Sequence, residues 1–250
     1  MEIIKLTDQN IEDEHICCGF SDKKCADGYQ KKKDWLKKEF KNGYTFRKLD
    51  ARGKVFIEYV PIEHSWLPIN GKNFMVVNCF WVSGKFKGKG YGKKLLLQCI
   101  ADAKSKKMDG IIAVSSDKKR PFMSDPKFFL KQGFEIIDEA PPHFKLFGLK
   151  INQQSNWPQF KPTAKKGSCK NNGGITVYYS NSCPFNDFYT NVFMRQYADS
   201  KGVPLSIHHI KTKKDGHKMP IPWVLYSVFY KGEFVSVQVK PDRELDKLIP

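Results

Sequence analysis

The sequence has no apolar run approaching the roughly 18 residues that a membrane span requires. Its opening, Met1-Glu2-Ile3-Ile4-Lys5, turns acidic at Glu12, Asp13 and Glu14 and lacks a signal-peptide core. A soluble, cytoplasmic protein is the expectation. Paired cysteines are also missing. Cys17, Cys18, Cys25, Cys79, Cys99, Cys169 and Cys183 are odd in number and contain no CxxC. Neither a disulfide framework nor a four-ligand zinc site has suitable spacing, and no metal is expected. Acidic residues are scarce: 26 Asp+Glu face 43 Lys+Arg, a formal charge of +17. Such a surface steers polyanions, which narrows the partners to nucleic acid, an anionic cofactor or an acidic substrate. Hydrophobic content of 40% with 19 Phe is enough for a packed core and excludes a disordered basic tail. Internal repeats and low-complexity tracts are absent.

Three blocks follow along the 250 residues. Residues 1–150 alternate strand-like and helix-like patterns. Residues 151–173 lack periodicity, are rich in Pro, Gly, Asn and Lys, and read as a linker. Residues 174–250 resume the alternation as a second unit. In the first block, Ile3–Thr7 reads as a strand and Tyr29–Lys41 as a helix with Trp35, Leu36 and Phe40 inward. Tyr44–Leu49 and Lys54–Val60 form an antiparallel pair. Met75–Val82 is almost wholly apolar, as in a central strand buried on both faces. Gly110–Ser116 is another strand, Pro126–Gln132 a short helix ending at Gly133, and Phe134–Asp138 the start of a further strand. The fold class is α/β, a mixed sheet with helices on both faces.

Between the central strand and a helix marked by Leu96, Cys99, Ile100 and Ala103 lies Lys87-Gly88-Lys89-Gly90-Tyr91-Gly92. Glycines there let the backbone approach a ligand, and the first free N–H groups of the helix point at it. Residues 85–107 hold eight lysines against one acid, Asp102. Helix N–H groups and cations together make a pyrophosphate cradle. The spacing fits neither the dinucleotide GxGxxG nor a P-loop. Only Phe86 and Tyr91 accompany these lysines, so base stacking is poorly served and nucleic acid is not the expected partner.

The run from Phe80-Trp81-Val82 through Lys87-Gly88-Lys89-Gly90-Tyr91-Gly92 resembles motif A of the GNAT acetyltransferases, with Lys87 at the position of the usual Arg or Gln. Phe128-Phe129-Leu130-Lys131-Gln132-Gly133-Phe134 resembles motif B. The resemblance implies a GNAT acyltransferase fold over 1–150, acetyl-coenzyme A as donor, and transfer to an amine acceptor by direct attack on the thioester. It implies that Phe80, Trp81 and Val82 meet the pantetheine arm. Lys87, Gly88, Lys89, Gly90, Tyr91, Gly92 and Lys93 would hold the pyrophosphate. Candidates for the base are Glu58 and Glu63, the latter beside His64; Tyr91, near the cofactor loop, is a further catalytic candidate. Phe129 stands where the family usually has Tyr, so the general acid is left open. Cys79 reads as core.

In the second unit, strands at Ile175–Tyr179 and Leu205–Ile210 flank a helix marked by Phe185, Phe188, Tyr189, Val192 and Phe193. Trp223–Phe229 hairpins through Lys231-Gly232 to Phe234–Val239, and Asp242–Leu248 reads as a closing helix. The order resembles the thioredoxin-like fold, with Cys183-Pro184-Phe185-Asn186 at the CxxC position and Pro222 matching the proline that family holds cis. The whole chain resembles the YoaP-type acetyltransferases. Asn186 replaces the resolving cysteine, so dithiol reduction is not expected. A thiol at a helix N-terminus would have a lowered pKa. A cytosolic thiol module acting through Cys183 is therefore the alternative reading.

Overall fold

A computed structural model describes residues 1–238, 245–247 and 249. Its larger sheet has seven strands: β1 (Ile3–Lys5), β2 (Thr45–Leu49), β3 (Val55–Pro61), β5 (Phe74–Val82), β6 (Gly110–Ser116), β7 (Glu135–Ala140) and β8 (Phe144–Lys150). Their order is β1-β2-β3-β5-β6-β8-β7, with only the β5–β6 pair parallel. Two helices cover one face, α2 (Tyr91–Ser105) and α3 (Pro126–Lys131). Leu95, Leu96, Cys99 and Ala103 of α2 pack there with Ile57, Val77, Ile111 and Phe129. The opposite face takes α1 (Ala26–Phe40) through Trp35 and Leu36. The mixed sheet with helices on both faces is thus present. Helix α1 begins three residues before the expected Tyr29, because Gly28 conceals a helical turn that propensity alone disfavours.

Arg47 and Tyr59 tie α2 to the sheet. The Arg47 guanidinium reaches both Asp102 oxygens at 3.0 Å, and the Tyr59 hydroxyl donates to the same carboxylate at 2.5 Å. The one acid in that lysine-rich stretch is therefore a structural anchor.

The smaller sheet contains β10 (Ile175–Tyr179), β11 (Leu205–His209), β12 (Tyr226–Tyr230) and β13 (Glu233–Ser236), in the order β11-β10-β12-β13. The β10–β11 pair is parallel and the other two are antiparallel. The β12–β13 turn is the anticipated Lys231-Gly232, both residues having positive φ (49° and 88°), as a tight hairpin of this type demands. The intervening helix runs as Asn186–Phe188, a π segment Tyr189–Phe193, then Met194–Lys201. Among the described residues the cis peptide is Pro141–Pro142, so the expectation of a cis bond at Pro222 is not met. Most of the expected helix Asp242–Leu248 lies outside the described residues.

Residues 151–173 contain structure of their own. Strand β9 (Gln159–Phe160) pairs with β4 (Ile69–Asn70), and Ser168 bridges to Glu233. The two sheets share a core: Trp223, Phe229 and Val237 pack in one cluster with Trp35, Phe46, Val76 and Val114. No helix among the described residues is long and apolar enough to cross a membrane.

Candidate active site

Strand β5 pairs with β3 along its length, from Met75 opposite Pro61 to Val82 opposite Val55. With β6 it pairs only from Phe74 to Val77. Beyond that point the strands diverge. A register shift between Glu58 and Tyr59 makes Asn78 an extra residue on β5, and such a bulge bends a strand away from its neighbour. The Ser83 N–H donates to the Lys54 carbonyl at 3.0 Å on the β3 side. The Ser124 hydroxyl donates to the Phe80 carbonyl at 3.2 Å on the open side. Main-chain groups alternate direction along a strand, so the N–H groups of Phe80 and Val82 face the gap.

The gap opens into a cleft of about 910 Å³. Phe80, Trp81, Val82, Lys87, Gly88, Gly90, Tyr91, Gly92 and Lys93 line it, bringing together every anticipated donor-binding residue except Lys89, which is exposed on the loop. Gly90 caps α2 with φ +79° and contributes no side chain, leaving the first helical N–H groups open. Gly88 also has positive φ (+73°), and a Cβ at either glycine would meet nothing within 4 Å. Gly92 differs: a Cβ there would lie 3.1 Å from the Phe128 ring. The loop is thus anchored at its helical end and open at its tip. Phe86 is buried beneath it, with Tyr91 edge-on at 5.9 Å. Lys119, Arg120 and Lys131 add to Lys87 and Lys93, against Asp125 alone. Sequence reasoning missed these three cations because they come from the β6–α3 connection and α3; the Lys119-Arg120 pair was the visible signal.

Glu58 is buried (2% exposed) and saturated. Lys32 Nζ lies 2.7 and 2.8 Å from its two oxygens, and the Tyr44 hydroxyl donates at 2.7 Å. Lys32 also donates to the Ser182 carbonyl at 2.6 Å, reaching from α1 into the second unit. Burial pushes the Lys32 ammonium down, but Glu58 overrides it and holds the pKa above its ordinary value. A cavity of about 20 Å³ adjoins this group, bordered by Tyr44, Glu58, His64, Asn78 and Ser182. Such a space has room for one water. Glu63 lines neither large cavity; its Oε1 accepts the Asn73 N–H at 2.6 Å, and Lys213 donates to its carbonyl. Tyr91 sits at the loop end of the cleft. Phe129 is 1% exposed among Phe80, Phe128, Phe134 and Phe147, wholly inside the core.

Cys183 departs from expectation. Its thiol is pushed up, not down, because desolvation outweighs the Phe185 N–H that favours the thiolate. Asn186, at the resolving position, is buried and donates to the Ser180 and Leu225 carbonyls at 2.9 and 2.6 Å. It clamps the turn. Among the described residues no group of three or more His, Cys, Asp or Glu is arranged to hold a metal.

The pattern described as "Acetyltransferase (GNAT) family" matches residues 9–134, and the one described as "YoaP-like" matches residues 204–247. The chain belongs to the GNAT family of acetyltransferases. It is 43% identical over 246 residues to the "Uncharacterized N-acetyltransferase YoaP" of Bacillus subtilis (strain 168), covering 98% of this chain and 97% of that protein. Among solved structures it is similar to PaiA N-acetyltransferase from Thermoplasma acidophilum in complex with coenzyme A, at 16% identity and a TM-score of 0.41 over 60% of this chain and all of that one. A ribosomal-protein-alanine N-acetyltransferase from Brucella melitensis gives 15% identity and a TM-score of 0.44 over the same shares. Residues 9–134, which the family pattern covers, include β5, α2 and α3.

Proposed function

We propose that this acetyltransferase carries an acetyl group from acetyl-coenzyme A to the amine of an acceptor by direct attack at the divergence of β5 and β6. The observation that carries the reading is the unpaired edge of β5 running into a cationic loop whose Gly88 and Gly90 face open space. Gly88, Gly90 and the α2 N-terminus, with Lys87, Lys93, Lys119 and Arg120, would hold the diphosphate. Main-chain groups of Phe80 and Val82, beside Trp81, would hold the pantetheine arm. The amine nitrogen forms a bond to the carbonyl carbon, the C–S bond breaks, and the amine proton leaves to solvent or thiolate. The Phe80 N–H, facing the gap, would donate to the carbonyl oxygen as it gains charge, the arrangement that stabilises an oxyanion.

Direct attack is supported by Cys79: burial and the nearby Glu58 push its thiol well above the ordinary range, which disfavours an acyl-cysteine route. Of the carboxylate candidates for the base, Glu58 is occupied by Lys32 and Tyr44, and we assign it to positioning; Glu63 braces a loop. Tyr91 packs where the diphosphate would lie. Residues 1–150 are read as the donor-binding unit, 151–173 as a strap, and 174–250 as a thioredoxin-like unit, consistent with the strand order β11-β10-β12-β13. A thiol-module reading finds no such support, since Cys183 is held protonated and Asn186 is committed to backbone carbonyls.

The test is calorimetric titration with acetyl-coenzyme A at two salt concentrations, on the wild type and Gly90→Trp. One-to-one binding that weakens with salt and disappears in the variant is the expected result. Unchanged affinity in Gly90→Trp would remove the loop from the donor site.

A further inference from the structure

A second cavity, of about 800 Å³, shares Trp81 and Pro121 with the donor cleft. A small void of about 10 Å³ adjoins both, bordered by Trp81 and Ser124, which also line the donor cleft, and by Phe122 and Trp223, which also line the second cavity. The first unit contributes Phe20, Trp81 and Phe122 to the larger cavity, and the second contributes Phe185, Trp223 and Tyr226. Six rings make a wall suited to a flat apolar body, since ring faces and edges pack best on other rings.

The charge of this cavity is equally specific. Asp22 and Lys54 are its ionisable side chains apart from thiols and Tyr226. Asp22 already accepts the Lys24 N–H at 3.1 Å as a helix cap. Lys54 is exposed and has no ion pair among the described residues; its Nζ lies 5.4 Å from the centre of the Phe185 ring, spanning the two units. Burial pushes the Cys18 thiol up to about 12 and raises Cys183 as well, so neither adds negative charge. With Asp22 the cavity carries one group of each sign, and the Lys54 ammonium beside the aromatic wall attracts an anionic substituent at its own end.

We propose that this cavity is the acceptor site, with the C-terminal unit as one of its walls, and that it takes a compact primary amine carrying an aromatic body and an anionic group, of the aromatic amino acid type. The inference rests on the amine transfer proposed above. The amine would reach the thioester past Trp81 and Pro121, which line both cavities, while the anion stays at Lys54.

The experiment compares acetyl transfer to L-tryptophan, tryptamine and spermidine, read by mass of the acetylated product, with acetyl-coenzyme A affinity measured on the same protein. Variants Phe185→Ala and Lys54→Ala probe the two ends of the site. Tryptophan should give the highest kcat/KM. Phe185→Ala should raise its KM by roughly tenfold, the scale of a lost apolar contact in a binding pocket, with acetyl-coenzyme A affinity unchanged. Lys54→Ala, at an exposed position that leaves the core intact, should erase the preference for tryptophan over tryptamine. Preference for spermidine, no turnover of either aromatic amine by protein that binds acetyl-coenzyme A, or an unmoved KM in both variants would overturn the proposal. Failure to bind acetyl-coenzyme A would overturn the donor reading instead.

Discussion

Two strand–turn–helix junctions in this molecule begin alike and end differently. After β5, the turn at Gly88 and Gly90 projects into open space, the helix N–H groups are free, and cations gather around them. After β10, the turn at Cys183-Pro184-Phe185-Asn186 is pressed against the first unit. The Pro184 carbonyl oxygen lies where a Cβ on Gly28 would be, 2.2 Å away, and Asn186 consumes the local carbonyls. The lesson is that a helix N-terminus becomes a binding site only where packing leaves it open. The same partial charge lowers a thiol pKa in solvent and is outweighed once the thiol is desolvated.

That contrast can be broken most severely at Lys32, which joins Glu58 to Ser182. Lys32→Met strands a buried carboxylate and should cost about 3–5 kcal/mol in chemical denaturation. The paired Lys32→Met/Glu58→Leu variant should recover part of that loss; no recovery would mean that the charge pairing is not the source. Next is Gly28→Ala, whose Cβ would meet the Pro184 carbonyl. Overpacking at that contact should cost about 1–3 kcal/mol in thermal unfolding, whereas the same substitution in an ordinary mid-helix position stabilises. The smallest effect concerns Cys183. Its pKa is raised above the ordinary 9.0, so folding favours the protonated thiol; this contribution is present below pH 9 and fades as pH rises through the folded value. Alkylation by iodoacetamide, followed peptide by peptide, should have its midpoint above 9.0. A midpoint below that value would restore the reactive thiol and erase the contrast.

Much of the first junction is legible in the residues themselves, because glycine spacing, lysine density and an apolar strand are local properties. The central strand and the α2 face can be read from periodicity, and the Lys231-Gly232 hairpin from turn chemistry. The second junction is misread for the converse reason. What decides the state of Cys183 is desolvation, which outweighs the opposing pull of Lys32, and Lys32 reaches this turn from 150 residues before Ser182 in the chain. Nothing local distinguishes Lys32 and Lys33, which are 3% and 6% exposed, from the exposed Lys31. Glu58 looks like an available strand carboxylate until α1 is laid across it. The acceptor cavity is illegible for the same reason, since its rings come from five separated segments.

The shared core has a consequence for how the chain is made. Phe144 of the first unit packs on Trp223 and Phe234 of the second, with ring centres 6.5 and 5.8 Å apart, inside a core cluster drawn from both units. On a ribosome, the first unit emerges with its part of that core uncovered for the many seconds needed to synthesise the rest. A nascent chain in this state displays a broad apolar patch, the kind of surface that draws chaperones or self-association. The second unit is therefore also the lid that ends this exposure, and its arrival sets when the acetyltransferase becomes a finished molecule.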